Sequence, residues 1–462
     1  MQMKRWFLGA GILVAVIIAG YFIAEGVVRN KVAAALASLP DSLRVEYASL
    51  HVSLLSGSVE IDSLHGRGIE IAHAAAHGIG FLHYLRSHEL RVRSLVLQGC
   101  TFKKEGLSLD GDVIIDSLGG SPDSPHVSSV QAKIDRLRYA IPDADEIVVG
   151  RHLELDSRNQ HFQLDTLRIF PTMEALEIGR KRGHQVDVVE ATIEGITADG
   201  LDVMGLLRHR LTAEKIAIRQ DHIHVFRDRR LPLVQGEKDM PVQSLKALPV
   251  TLRIGSVDLG PTFFSYEEYP AKGDRTGELK IYHLQGRIAP LINHPVAGDP
   301  DYITVHTEGS LMNSGSVFAL TKMPLHSSDP YLVDGAFHNL DVTRLNDPAE
   351  NLGKLHLESG LLNFLSFHFV MTTEKSTGEI IGEYHDLVVD KLKDNGKVAK
   401  LKSFALKKFI IPRNKDKSLP VKKRTGKVDY KRNPERYFSY YLLHSLLVGV
   451  KSSFSLGFLL PG

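Results

Sequence analysis

From about Leu43 onward, apolar and polar positions alternate in short runs. Leu252–Arg253–Ile254 leads into Val257–Asp258–Leu259 and then Phe263–Phe264–Ser265–Tyr266. Glu278–Leu279–Lys280–Ile281–Tyr282–His283–Leu284 alternates throughout, as does Phe364–Leu365–Ser366–Phe367–His368–Phe369. A period of two describes strands with one apolar and one polar face. Gly, Asn and Asp interrupt the runs at turn-like intervals, for example at Met312–Asn313–Ser314–Gly315. The pattern predicts a mainly β, antiparallel body, with helical periodicity confined to the two ends and to short pieces between strands.

The ends depart from that pattern. Trp6 to Ala24 is 19 residues without a charge, behind Lys4 and Arg5. As a helix it rises about 28 Å, close to the thickness of a bilayer's hydrocarbon core. The run is longer than the apolar region of a signal peptide and no small-residue cleavage site follows, so it reads as a retained transmembrane anchor. A long following domain is translocated despite a weak charge bias, so the N-terminus is expected in the cytoplasm and the body outside it. Val27 to Leu39 reads as a membrane-proximal helix stopped by Pro40. At the other end, Asn433 and Pro434 suit an N-cap and first helical position for an apolar helix running to about Val450. With about 14 apolar residues that helix is too short to span a bilayer. It either caps the β body or inserts into a second membrane surface.

The expected organisation is therefore an anchor (1–24), a membrane-proximal helix and linker (25–42), two β-rich regions (43–240 and 241–436) and an apolar C-terminal helix and tail (437–462). A weak repeat at a spacing of 121 residues supports stacked units: Leu85, Leu90, Val92, Leu95 and Leu97 align with Leu206, Leu211, Ala213, Ile216 and Ile218. The net charge of +2 conceals an asymmetry. Lys391 to Arg436 holds 17 Lys+Arg against 4 Asp+Glu, a local net of +13, which leaves −11 elsewhere. Lys407, Lys408, Arg413, Lys415, Lys422, Lys423 and Arg424 are candidate contacts to anionic lipid headgroups, each basic residue near a membrane surface contributing about 1 kcal/mol. The same run also reads as a solvated strand edge, where Lys discourages aggregation. Behind a membrane anchor, nucleic acid is not the expected partner.

Catalytic chemistry finds little support. The chain lacks a phosphate loop, a G-x-S-x-G elbow and H-E-x-x-H; His88–Glu89 comes nearest to the last, with Val92 where the second His belongs. His73 and His77 have the spacing of a helix-borne metal pair, but two ligands alone make a weak site and the residues between them are all alanine. Asp143, Asp145 and Glu146 form only part of a calcium-loop pattern. The single cysteine, Cys100, excludes an intramolecular disulfide and has no recognisable base. Neither an enzyme nor a cofactor is expected.

Together the anchor, the first turn-strand Val52–Ile61, the corner-strand unit Ile196–Asp228 and later elements resemble the AsmA-like family of Gram-negative envelope proteins. Those later elements are Val333–Asp334–Gly335 through Leu345–Asn346, Ser359–Gly360–Leu361, and Gly382–Leu387 with the basic strand after it. The family is TamB/YhdP-related and akin to chorein-type lipid-transfer proteins; this chain is closest in style to its Bacteroidota variants. The resemblance implies an elongated, curved sheet forming a half-pipe, anchored in the inner membrane with its bulk in the periplasm. It also implies a role in phospholipid transport or outer-membrane homeostasis. An open trough holds acyl chains along its apolar stripe, and Ile254, Leu279, Ile281, Leu365 and Phe367 are candidates for it. About 25–30 strands at about 4.8 Å each reach on the order of 120–145 Å before twist, which makes spanning a periplasm alone doubtful. The alternative is a non-transporting envelope scaffold or assembly factor acting through protein partners.

Overall fold

The computed structural model describes residues 45–53, 56–79, 90–121, 124–206, 208–326, 329–392 and 424–453. The anchor, the membrane-proximal helix and Lys407, Lys408, Arg413, Lys415, Lys422 and Lys423 lie outside the described residues. No described helix is long and apolar enough to cross a membrane. The chain is mainly β with antiparallel pairing, and it divides into two compact units: residues Met1–Ile169 with Glu194–Glu214, and Phe170–Ile193 with Lys215–Gly462.

The first unit contains β1 (Val45–Glu46), β2 (Ser49–Ser53), β3 (Ser58–Gly66), β4 (Ile69–His77), β5 (Leu90–Lys104), β6 (Leu107–Ser121), β7 (Ser124–His126), β8 (Ser129–Ala140) and β9 (Glu146–Asp156). Residues of β10 (His161–Pro171), β11 (Asp187–Asp199) and β12 (Arg210–Asp228) fall partly in each unit. Helix α1 (Ala175–Arg182) belongs to the second unit and the single turn α2 (Val203–Leu206) to the first. Antiparallel neighbours run β2–β3–β4–β5–β6–β8–β9. The described halves of the sequence repeat, Leu90–Leu97 and Leu211–Ile218, are both strand.

The second unit continues with α3 (Pro241–Lys246), β13 (Thr251–Tyr269), β14 (Gly277–Ala289), β15 (Leu291–Ile292), β16 (Tyr302–Leu311), β17 (Gly315–Pro324), β18 (Tyr331–Asp341), α4 (Asn346–Gly353), β19 (Leu355–Met371), β20 (Lys375–Lys391), β21 (Arg424–Lys431) and α5 (Phe438–Ser453). The predicted turn at Met312–Asn313 lies in a three-residue connection, Met312–Ser314, between the paired strand ends Leu311 and Gly315. Both residues have positive φ, 52° and 51°, and Ser314 N–H donates to the Leu311 carbonyl at 3.0 Å. That left-handed pair matches the twist of β16 and β17, and Asn tolerates it well.

Helix α5 begins four residues later than Pro434. Asn433 spends its side chain and carbonyl on a local turn: Oδ1 accepts from Glu435 N–H at 3.0 Å and the carbonyl from Arg436 N–H at 3.1 Å. The described helix then packs on β20 and β21 through small residues. Ser445 is fully buried and donates to the Tyr441 carbonyl at 2.9 Å. A Cβ on Gly449 would stand 2.3 Å from Ile380, and one on Gly426 would stand 2.1 Å from the Gly449 carbonyl oxygen. Only glycine permits this approach at both positions. Ser452 Oγ accepts the Lys427 N–H at 3.2 Å, which satisfies one donor of the β21 edge.

Candidate functional site

Cross-strand register shows which apolar positions share a surface. In the second unit one row reads Val257–Ile288–Val305–Thr321–Val333–Phe369–Gly378–Val428, and the next Leu259–Gly286–Thr307–Ala319–Gly335–Phe367–Ile380–Gly426. Phe367 and Leu365 are buried in one core cluster with Phe369, Met371, Ile380, Val428, Met240 and Val242 of the α3 segment, and Tyr441 of α5. The Phe367 ring stacks on Phe369 at 5.2 Å and fills the space a Cβ on Gly335 would take. Leu279 and Ile281 are half-buried against the same cluster. Ile254 is buried but pairs with Leu291, and alternation along β13 turns it away from the side of Val257. Four of the five sequence-derived groove residues are thus brought together, on a face that α3 and α5 cover. Arg424, the described member of the basic set, is half-buried with its guanidinium 5.8 Å from the centre of the Tyr384 ring.

The first unit carries a second apolar face that period-two reading of the sequence does not reveal. One row is Leu50–Ile61–Ala74–Leu97–Val113–Ala132–Leu155, and another Leu64–Ile71–Cys100–Gly111–Ile134–Leu153. A third is Gly66–Ile69–Phe102–Leu109–Leu137–Gly150. The rows join because most strands shift parity once. Ser63 (φ 50°), Gly99 (φ 59°) and His152 (φ 51°) are left-handed residues at these shifts in β3, β5 and β9. The left-handed residue at each lets side chains three apart share a face, and at Gly99 it coincides with a register shift against β6. Leu50, Val52, Val59, Ile61, Leu64 and Ile71 are buried, whereas Phe102, Leu109, Ile134, Leu137, Leu153 and Leu155 are only half-buried. The core cluster of this unit draws on strands and their turns alone; no described helix contributes to it.

The opposite face is polar. His73 Nδ1 meets Asp62 at 2.8 Å, and Ser49 Oγ donates to the same carboxylate at 2.6 Å. The Ser49 hydrogen bond, then His73, holds Asp62 below the ordinary carboxylate range. Lys133 and Glu154 pair at 3.2 Å, and Arg136 faces Arg151. His73 and His77 lie on strand β4 rather than a helix, with His73 committed to Asp62. Asp143 and Asp145 occupy left-handed positions in the turn before β9. Burial, with Asp112 adding to it, pushes the Cys100 thiol up to about 11, so thiolate is scarce at neutral pH. His88–Glu89 lies outside the described residues. Among the described residues no group of three or more His, Cys, Asp or Glu is placed to hold a metal ion.

Comparison with known proteins adds no relative: no family model matches the chain, and neither a curated protein nor a solved structure matches significantly.

Proposed function

We propose that the chain is a membrane-anchored envelope protein that binds lipid along an apolar β-sheet face and supports phospholipid transport or outer-membrane homeostasis. The observation that carries this reading is the apolar face of the first unit. It runs without a charged side chain through three cross-strand rows, in which Leu50, Ile61, Leu64, Ile71 and Ala74 are buried and Phe102, Leu109, Ile134, Leu137, Leu153 and Leu155 half-buried. Acyl chains need such a surface, which offers apolar contact and no buried polar group to desolvate. The polar opposite face lets the same strands stand in water. The charge-free run Trp6–Ala24 and the AsmA-like pattern support an inner-membrane anchor, a periplasmic body and a half-pipe arrangement of the sheet.

A scaffold or assembly role through envelope proteins is the second reading, favoured by the second unit, whose apolar face is filled by its own helices. Lipid mass spectrometry on the full chain in mild detergent separates the two. Lipid binding predicts copurifying phospholipid that falls severalfold in Leu137→Asp and Leu109→Asp, while Phe318→Asp, an exposed position in the second unit, leaves it unchanged. No copurifying phospholipid, or equal amounts in all variants, supports the scaffold.

A further inference from the structure

Helix α5 is apolar on more than the side it buries. Tyr441, Ser445 and Gly449 are buried against the sheet, and Phe438, Leu442, Leu446 and Val450 complete the contact with the core cluster. Tyr440, Leu443 and Leu447 follow at spacings of three and four, which puts them on a second stripe. None of the three belongs to the core cluster, and Leu443 is 50% exposed. Tyr437, 49% exposed, precedes the stripe by three residues, and Lys451 follows it by four.

The rim of that stripe is cationic. Between Arg436 and Ser453 the chain carries no Asp or Glu. The Arg436 guanidinium lies 5.2 Å from the centre of the Tyr440 ring, and Lys238 Nζ lies 5.5 Å from that of Tyr437. His444 adds little charge at neutral pH, because burial first, then Arg229 and Arg436, hold its imidazole below the ordinary range. Two stretches outside the described residues join the chain at the C-terminal end of α5, where a Cβ on Gly426 would stand 2.6 Å from the Ser453 nitrogen. Residues 393–423 hold 11 Lys+Arg against 2 Asp+Glu and lead into Arg424. Residues 454–462 hold five large apolar side chains and no charge, and they lead out of Ser453.

We propose that the outward face of α5, from Tyr437 to Lys451, docks on an anionic phospholipid surface with the helix lying in the plane of the membrane. At 16 residues the helix is too short to cross. One face therefore caps the sheet while the other meets lipid. Leu443 and Leu447 enter the boundary between headgroups and acyl chains, the tyrosines sit at headgroup level, and Arg436 and Lys451 meet lipid phosphates. Charge decides against a second copy of this chain as the occupant. The face has no acid to answer its own cations, so two copies would set like charges together. An anionic surface instead gains from each cation, and the basic stretch that rejoins the chain at Arg424 has the same preference. This surface belongs to the second unit and does not require lipid on the apolar face of the first.

The test places a polarity-sensitive fluorophore on Leu443→Cys in a Cys100→Ser background. The labelled full chain is reconstituted in vesicles of phosphatidylcholine with or without phosphatidylglycerol. Bromine on the acyl chains, in the host vesicles or in vesicles added afterwards, reports contact by quenching. Blue-shifted emission and quenching are expected with phosphatidylglycerol, about threefold or more above phosphatidylcholine alone. The same label on Glu379→Cys should show neither, since Glu379 is exposed and adjoins Ile380 on the other face of β20. Lys451→Gln should lower the docking constant read from the quenching about fivefold, and Leu447→Ser should lower it as well. Should Leu447→Ser not fold, Lys451→Gln carries the test. Absence of quenching by both host and added vesicles overturns the proposal. Energy transfer between labelled copies would then make the face a contact between copies, and a blue shift alone would show it covered by protein. Equal quenching with and without phosphatidylglycerol, or an unchanged constant in Lys451→Gln, also overturns it. Phospholipid copurifying on the first unit is measured separately with Leu137→Asp, so the two readings fail independently.

Discussion

The two units each present an apolar sheet face, and they close it differently. In the second unit the strands are regular enough that Val333, Phe369 and Val428 line up, and glycines at 426 and 449 bring α5 down onto them. In the first unit, left-handed residues at Ser63, Gly99 and His152 keep the apolar residues on one side, while Phe102, Leu109, Leu137 and Leu153 stay half-exposed. A sheet therefore does not keep an accessible apolar face by alternation alone. What decides is whether the chain also supplies small residues that admit a helix.

That contrast is open to measurement. The largest expected effect is Phe369→Ala. It removes a fully buried ring from the helix-covered core, at about 3–5 kcal/mol, and the urea midpoint of the second unit should fall accordingly. Gly449→Ala comes next, since its Cβ would meet Ile380 and Val428. Overpacking of this kind costs about 1–3 kcal/mol. Leu137→Ala, at a half-buried position, should cost under about 2 kcal/mol in the same assay. Equal losses at Phe369 and Leu137 would erase the distinction between a covered and an open face.

A smaller effect concerns acid. The hydrogen bond from Arg253, then the Val296 N–H, lowers Asp299 to about 2 from an ordinary 3.8. A depressed carboxylate stabilises the fold above its unfolded value, and that contribution is lost as pH falls towards the folded one. Between pH 4 and 2 the midpoint of the second unit should therefore fall less steeply in Asp299→Asn than in the wild type. With no effect on stability, Cys100 alkylation at pH 8 should be slower than that of free cysteine by about 100-fold, because a thiol raised to about 11 is almost wholly protonated there.

Much of the strand content was legible in the sequence because alternation persists within runs such as Glu278–Leu284 and Phe364–Phe369. The turn at Met312–Asn313 was legible for the same local reason. The apolar face of the first unit was not. Val130, Ala132 and Ile134 are even-numbered while Leu137 and Tyr139 are odd, and only cross-strand register shows that a bulge joins them. The groove residues expected in the second unit rest on alternation, which marks an apolar side without saying what covers it. The covering depends on Gly426, Ser445 and Gly449, whose contribution is the absence of bulk. The start of α5 is not legible at Asn433, a residue as suited to a tight turn as to a helix cap.

The most direct test places a photocrosslinking amino acid at Leu137, in the half-exposed face of the first unit, and in a parallel chain at Leu365, beneath the helix-covered face of the second. The account predicts phospholipid adducts at Leu137 and few or none at Leu365. Adducts at Leu365 with none at Leu137 would contradict it.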